Sequence, residues 1–141
     1  MEAPQIKQAY SAKDFESLGF HDCYVHGIRW VRSSYSLVLD LDYIVKWVEV
    51  NGTYNFWVAP GELRFDYASD VTISLEWDKV PMECQIRDVH RLDQKSTPKG
   101  GDCYHWEIEF AVPYGSIDLW STDFQLSIQS TPVFSSIQYL R

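Results

Sequence analysis

Asp40 and Asp42 stand two residues apart in the run SLVLDLDYIV at positions 36–45. In an extended strand, residues i and i+2 share a face, so these carboxylates point the same way, about 7 Å apart at roughly 3.3–3.4 Å of rise per residue. Leu37, Leu39, Leu41 and Tyr43 then take the opposite face. No helical period keeps those leucines together while sending both aspartates away, so the alternation specifies a strand. Carboxylates arranged in this way can form an acidic binding surface, half of a metal site, or a plain solvated face.

Further along the chain the same arrangement returns. Leu63, Phe65 and Tyr67 alternate with Glu62, Arg64 and Asp66, and Val71, Ile73, Leu75 and Trp77 alternate with Thr72, Ser74, Glu76 and Asp78. Both stretches read as half-buried strands with wet, acidic outer sides. Like charges two apart on one face repel, and sheet surfaces usually intersperse lysine. Asp40, Asp42, Glu62, Asp66, Glu76 and Asp78 are therefore read as a negative wall that docks a basic partner by electrostatic complementarity. On the period of two, Trp57 faces away from Tyr54, Phe56 and Val58, which makes it the candidate aromatic anchor. The bland alternatives are that the acids only solubilise the sheet and that Trp57 lies beneath a second sheet.

Three other constellations are weaker. His21-Asp22 with Asp40 and Asp42 offers nitrogen and oxygen donors of the kind a divalent metal takes. A histidine and aspartate at a loop more often fix the turn through backbone hydrogen bonds, so no metal is assigned. Glu107 and Glu109, with His105, share a strand face at a spacing compatible with inverting glycoside hydrolysis, as every alternating acidic strand does. No GxSxG motif is present, and Cys23, Cys84 and Cys103 belong to no nucleophile signature, so buried thiols are expected. Gly100-Gly101 lacks a strand-to-helix phosphate loop around it. No catalytic residue or cofactor is assigned, and the chain is expected to be non-enzymatic.

A net charge of −8 in 141 residues argues against nucleic acid and anionic membrane as direct partners. The excess is concentrated: positions 36–78 carry eight acids against two bases, and positions 102–123 carry five acids and no base. Three cysteines without CxxC spacing, no basic and apolar N-terminal leader, and no long apolar run together give the expectation of a cytoplasmic protein with free thiols.

The remaining pattern is strands. Ser11 with Asp14 outlines a capping box, predicting a short helix over 12–18 with Gly19 as a left-handed stop. Residues 23–31 follow as a strand with Tyr24, His26, Ile28 and Trp30 on one face. Asn51-Gly52 signals a tight hairpin turn, and Pro60-Gly61 reads as a break between strands. The broken period at Ile86 and Val89 predicts a bulge, and 92–101 reads as a flexible loop. Strands also cover 103–110, 117–120 and 124–129, with a weaker one after Pro132. Nine or ten strands without a crossover helix predict one all-β domain over 1–141, an antiparallel sandwich or partly closed barrel with one short N-terminal helix.

The stretch FHDCYVHGIRW from Phe20 to Trp30, followed by SLVLDLDY, resembles a varied set of small bacterial β proteins with an N-terminal F/W-H-D tripeptide, including immunity proteins of polymorphic toxin systems. The resemblance implies a cytoplasmic binding protein that neutralises a toxin by covering it, with Phe20, His21 and Asp22 shaping the fold. The basic partner it points to is a nuclease-type toxin domain. The alternative is a small-ligand or carbohydrate-processing sandwich using tryptophan and the Glu107–Glu109 pair in a cleft.

Overall fold

The alternating runs resolve into ten strands of one antiparallel sheet, in a computed structural model that describes residues 2–141. They are β1 (Ala9–Ser11), β2 (Tyr24–Val31), β3 (Ser36–Val50), β4 (Thr53–Asp66), β5 (Ser69–Glu76), β6 (Gln85–Ser96), β7 (Asp102–Val112), β8 (Tyr114–Ser121), β9 (Asp123–Ile128) and β10 (Val133–Ser135). Their spatial order is β1-β9-β4-β3-β2-β6-β7-β8-β5, with β10 beside the first half of β4.

Trp106 of β7 stacks on Phe124 of β9 with ring centroids 4.7 Å apart and meets Phe65 of β4 at 5.6 Å. Those strands are remote in the sheet order, so the sheet curls over and packs its two halves face to face. Leu37, Leu39, Leu41, Leu63, Ile108, Ile117, Leu119 and Leu126 fill the space between them. β1 and β5 keep free outer edges, so the arrangement is a sandwich and no barrel closes. Among the described residues no helix is long and apolar enough to cross a membrane.

Ser11 and Asp14 form the expected capping box at a 3₁₀ helix over Ala12–Ser17. Its Phe15 packs edge-on against Trp106 at 5.1 Å and Phe124 at 5.6 Å, which plugs one end of the core. The helix stops on an extended Leu18, and Gly19 is not left-handed, contrary to expectation. The tripeptide before β2 fastens the two halves where they meet. Phe20 is buried beside Tyr43, Asp22 takes a left-handed φ of 66°, its N–H donates to Ile86 O at 2.9 Å, and His21 Nδ1 donates to Arg87 O at 3.1 Å. This seam is thin, since Tyr24 opposite Gln85 is the one register pair between β2 and β6.

Several local expectations are corrected. Pro60-Gly61 does not break the chain, because β4 runs through it. The Pro60 carbonyl accepts from Gln129 N–H on the outer side of β4, so the missing proline N–H falls on that same side. There the neighbour changes from β10 to β9 and no ladder bond is lost. A bulge between Val25 and Gly27 breaks the single face expected for β2: His26 lies with Asp42 on the outer side, whereas Ile28 packs on the core. The Asn51-Gly52 turn has both residues at positive φ, 51° and 78°, as a type I′ turn requires. The bulges expected near Ile86 are present, and β6 continues to Ser96, which shrinks the expected 92–101 loop to a tight turn around Gly100.

Candidate functional site

The acids of β3 and β4 do sit together, but they do not form a free negative wall. Asp40 opposes Glu62 across the strands, an arrangement of like charges that destabilises a sheet unless a cation intervenes. Arg29 of β2 supplies it, with Nε 3.0 Å from Asp40 and Nη2 3.0 Å from Glu62. Gly27, with no side chain, lies directly opposite Asp40. Arg64 Nε lies 2.6 Å from Asp66, whose carboxylate also accepts from the Ser36 hydroxyl.

Asp42 is a clear correction. It is 0% exposed, covered by the segment near the end of the chain, and cannot meet a partner as an open surface charge. Its Oδ2 accepts from His26 Nε2 at 2.7 Å and from Leu140 N–H at 2.8 Å. Trp57 is a second correction: it is 7% exposed, lying edge-on against Phe134 of β10 at 5.2 Å. A strand that adds itself far along the sequence covers the face expected to be wet.

Glu76 and Asp78 behave differently. Glu76 ends β5, a strand paired on one side only, and Asp78 follows on the 77–84 segment that crosses from β5 to β6. Both are exposed, and neither enters an ion pair or side-chain hydrogen bond among the described residues. Beside them stands Tyr114, which pairs with Glu76 and is 83% exposed; Met82, also 83% exposed, lies further along the segment. Glu76, Asp78, Val80 and Tyr114 line one hollow around Pro113. The half-buried character expected for β5 holds only in part: Leu75 packs against the core, whereas Val71 and Ile73 are 38% and 41% exposed on this edge.

The other side of the 77–84 segment forms the wall of a cleft of about 460 Å³. Trp77 and Met82 face Tyr24 and His26 of β2 across it, and Tyr139 and Arg141 close its end. The Trp77 indole N–H donates to Glu83 O at 2.6 Å and holds the segment's curve. Tyr24 and Tyr139 pack with centroids 4.8 Å apart. Burial, followed by the charges of Glu83 and other neighbours, pushes the Tyr24 phenol above its ordinary range. Sequence reading missed this cleft because its lining comes from three separated segments. The one available signal was the apolar pair Trp77 and Met82 in a loop.

The constellations weighed for chemistry lie elsewhere. Glu107 and Glu109 are on the outer face of β7, where His90 Nε2 lies 3.2 Å from Glu109, and His105 pairs with Asp118 at 3.2 Å while stacking on Trp120. None of the three lines the cleft. His21 is stacked on Trp47 and lies 3.5 Å from Asp22, and no group of three or more potential metal ligands gathers among the described residues. The cysteines are free: Cys23 and Cys103 are buried as expected, whereas Cys84 is half-buried and lines the cleft, and burial pushes the Cys23 thiol up to about 12 and the Cys84 thiol up to about 11. Comparisons with protein-family models, with curated proteins and with solved structures found no match to this chain.

Proposed function

We propose that this chain is a non-enzymatic binding protein that neutralises a basic protein partner by occlusion, the nuclease-type toxin domain implied by the Phe20-His21-Asp22 resemblance being the partner class. The docking surface is the β5 edge and the segment after it. The observation that carries the reading is that Glu76 and Asp78 keep unpaired charges in one hollow with Tyr114, which is 83% exposed, while the equally exposed Met82 stands on the other side of the same 77–84 segment. Carboxylates next to flexible methionine and rigid tyrosine are the ingredients of a protein-binding hot spot. The free edge of β5 adds unpaired backbone donors and acceptors for an extended segment of the partner. Occupying cations that otherwise hold phosphates is sufficient to stop a nuclease without any reaction.

The test is to purify the chain with basic, RNA-cleaving toxin domains and to measure complex formation and RNA cleavage between low and high salt. A stoichiometric complex that blocks cleavage, associates more slowly as salt rises, and is lost in Glu76→Lys/Asp78→Lys supports the reading. Full cleavage in the presence of excess chain, or a complex indifferent to those reversals, overturns it.

A further inference from the structure

Resting on the reading of a basic partner, we propose that the cleft between β2 and the 77–84 segment is a receptor for an arginine side chain, and that Arg141 is the chain's own occupant of it. Asp42 of β3 is 0% exposed. A fully buried carboxylate is strongly destabilising unless both oxygens are met by donors. Oδ2 has two, from His26 and Leu140, whereas Oδ1 has no hydrogen-bond partner at all. Arg141 Nε stands 3.5 Å from that oxygen, near enough for charge attraction and too far to complete the bond. The position is therefore one where a guanidinium is attracted and only partly satisfied. With its side chain 49% exposed, Arg141 is free to leave.

The surrounding chemistry selects the same ligand. Tyr24, Tyr139 and Trp77 line the cleft with aromatic rings and Glu83 is the carboxylate residue of its lining, whereas buried Asp42 meets the cleft through the lining residues His26 and Arg141. A cation between aromatic faces gains from their quadrupoles, and a guanidinium gains more than an ammonium because its planar fork both stacks and binds a carboxylate through two N–H groups. The cleft is much larger than one guanidinium, leaving room for the flanking residues of an extended segment. Glu76, Asp78 and Val80 line the neighbouring hollow, so the 77–84 segment joins the two recesses into one surface.

The experiment titrates the full chain with acetyl-Gly-Arg-Gly-amide, its lysine counterpart and its glutamate counterpart, following the backbone amide resonances of Gly27, Glu83 and Tyr139. The arginine peptide is expected to shift all three, and Arg141→Ala to bind it about threefold or more tightly, because the internal competitor is gone. The lysine peptide is expected to bind less well and the glutamate peptide not at all. Glu83→Gln, a change in an exposed segment, weakens the arginine peptide while leaving the rest of the spectrum in place. Equal affinity of wild type and Arg141→Ala, shifts confined to other regions, or equal binding of the glutamate peptide overturns the proposal. Loss of peptide binding with partner capture intact removes the cleft alone; loss of capture with peptide binding intact removes the masking reading alone.

Discussion

The outer face of β2, β3 and β4 and the free edge at β5 are built from the same alternation of apolar and acidic residues, yet one is closed to partners and the other is open. On the first, every strand has neighbours on both sides and each acid meets a partner: Arg29 of β2 bridges Asp40 and Glu62, Arg64 of β4 itself pairs with Asp66, and Asp42 is covered by His26, Leu140 and Arg141. On the second, β5 has β8 on one side and solvent on the other, and Glu76 meets Tyr114 instead of an arginine. An acidic strand thus keeps unpaired charge toward solvent where the sheet runs out of neighbours to neutralise it.

The contrast can be broken experimentally, and the largest effect is expected in alkali. The closed half holds Cys23, raised by burial from 9.0 to about 12, and Tyr43, raised by burial from 10.0 to about 12. The folded state holds both protons more tightly than the unfolded one. Their contribution is therefore complete below the unfolded values and is lost as pH climbs from about 9 to about 12. Urea midpoints measured across that window should fall steeply and recover on return to neutral pH.

Asp42→Ala comes next. It removes the charged acceptor of two part-buried donors, His26 and the Leu140 N–H, and it should cost about 3 kcal/mol in urea unfolding. A loss below about 0.5 kcal/mol would place this carboxylate among ordinary surface acids. On the open side, Gly115→Ala is expected to cost about 2 kcal/mol, because Gly115 has a φ of 134° and an added Cβ would run into the Ser74 carbonyl of β5. Amide exchange should then rise along β5 before any other strand.

Arg29→Ala should destabilise by about 1 kcal/mol, since the side chains of its two pairs are a quarter to a half exposed and partly screened, and the loss should shrink in high salt. Smallest of all, Glu76→Ala with Asp78→Ala should change stability by less than about 0.5 kcal/mol. Thermal melts of this double variant beside Arg29→Ala sharpen the comparison: equal losses would show the two regions to be alike.

The strand content and the capping box at Ser11 were legible in the sequence because each depends on neighbours two to four residues away, whereas the choice between sandwich and partly closed barrel rested on contacts such as Trp106 with Phe124. The period of two separates Leu37, Leu39 and Leu41 from Asp40 and Asp42 wherever the strand ends up, and Asn51-Gly52 can close only a tight turn. Which acids stay charged toward solvent was not legible. Arg29 is eleven residues from Asp40 and thirty-three from Glu62, Leu140 is ninety-eight from Asp42, and Phe134 reaches Trp57 only because β10 docks on β4. A strand's own residues set which side a carboxylate faces. The strands that pack beside it decide whether that charge is cancelled, buried or left for a partner, because screening and desolvation depend on everything within a few ångströms regardless of its place in the chain.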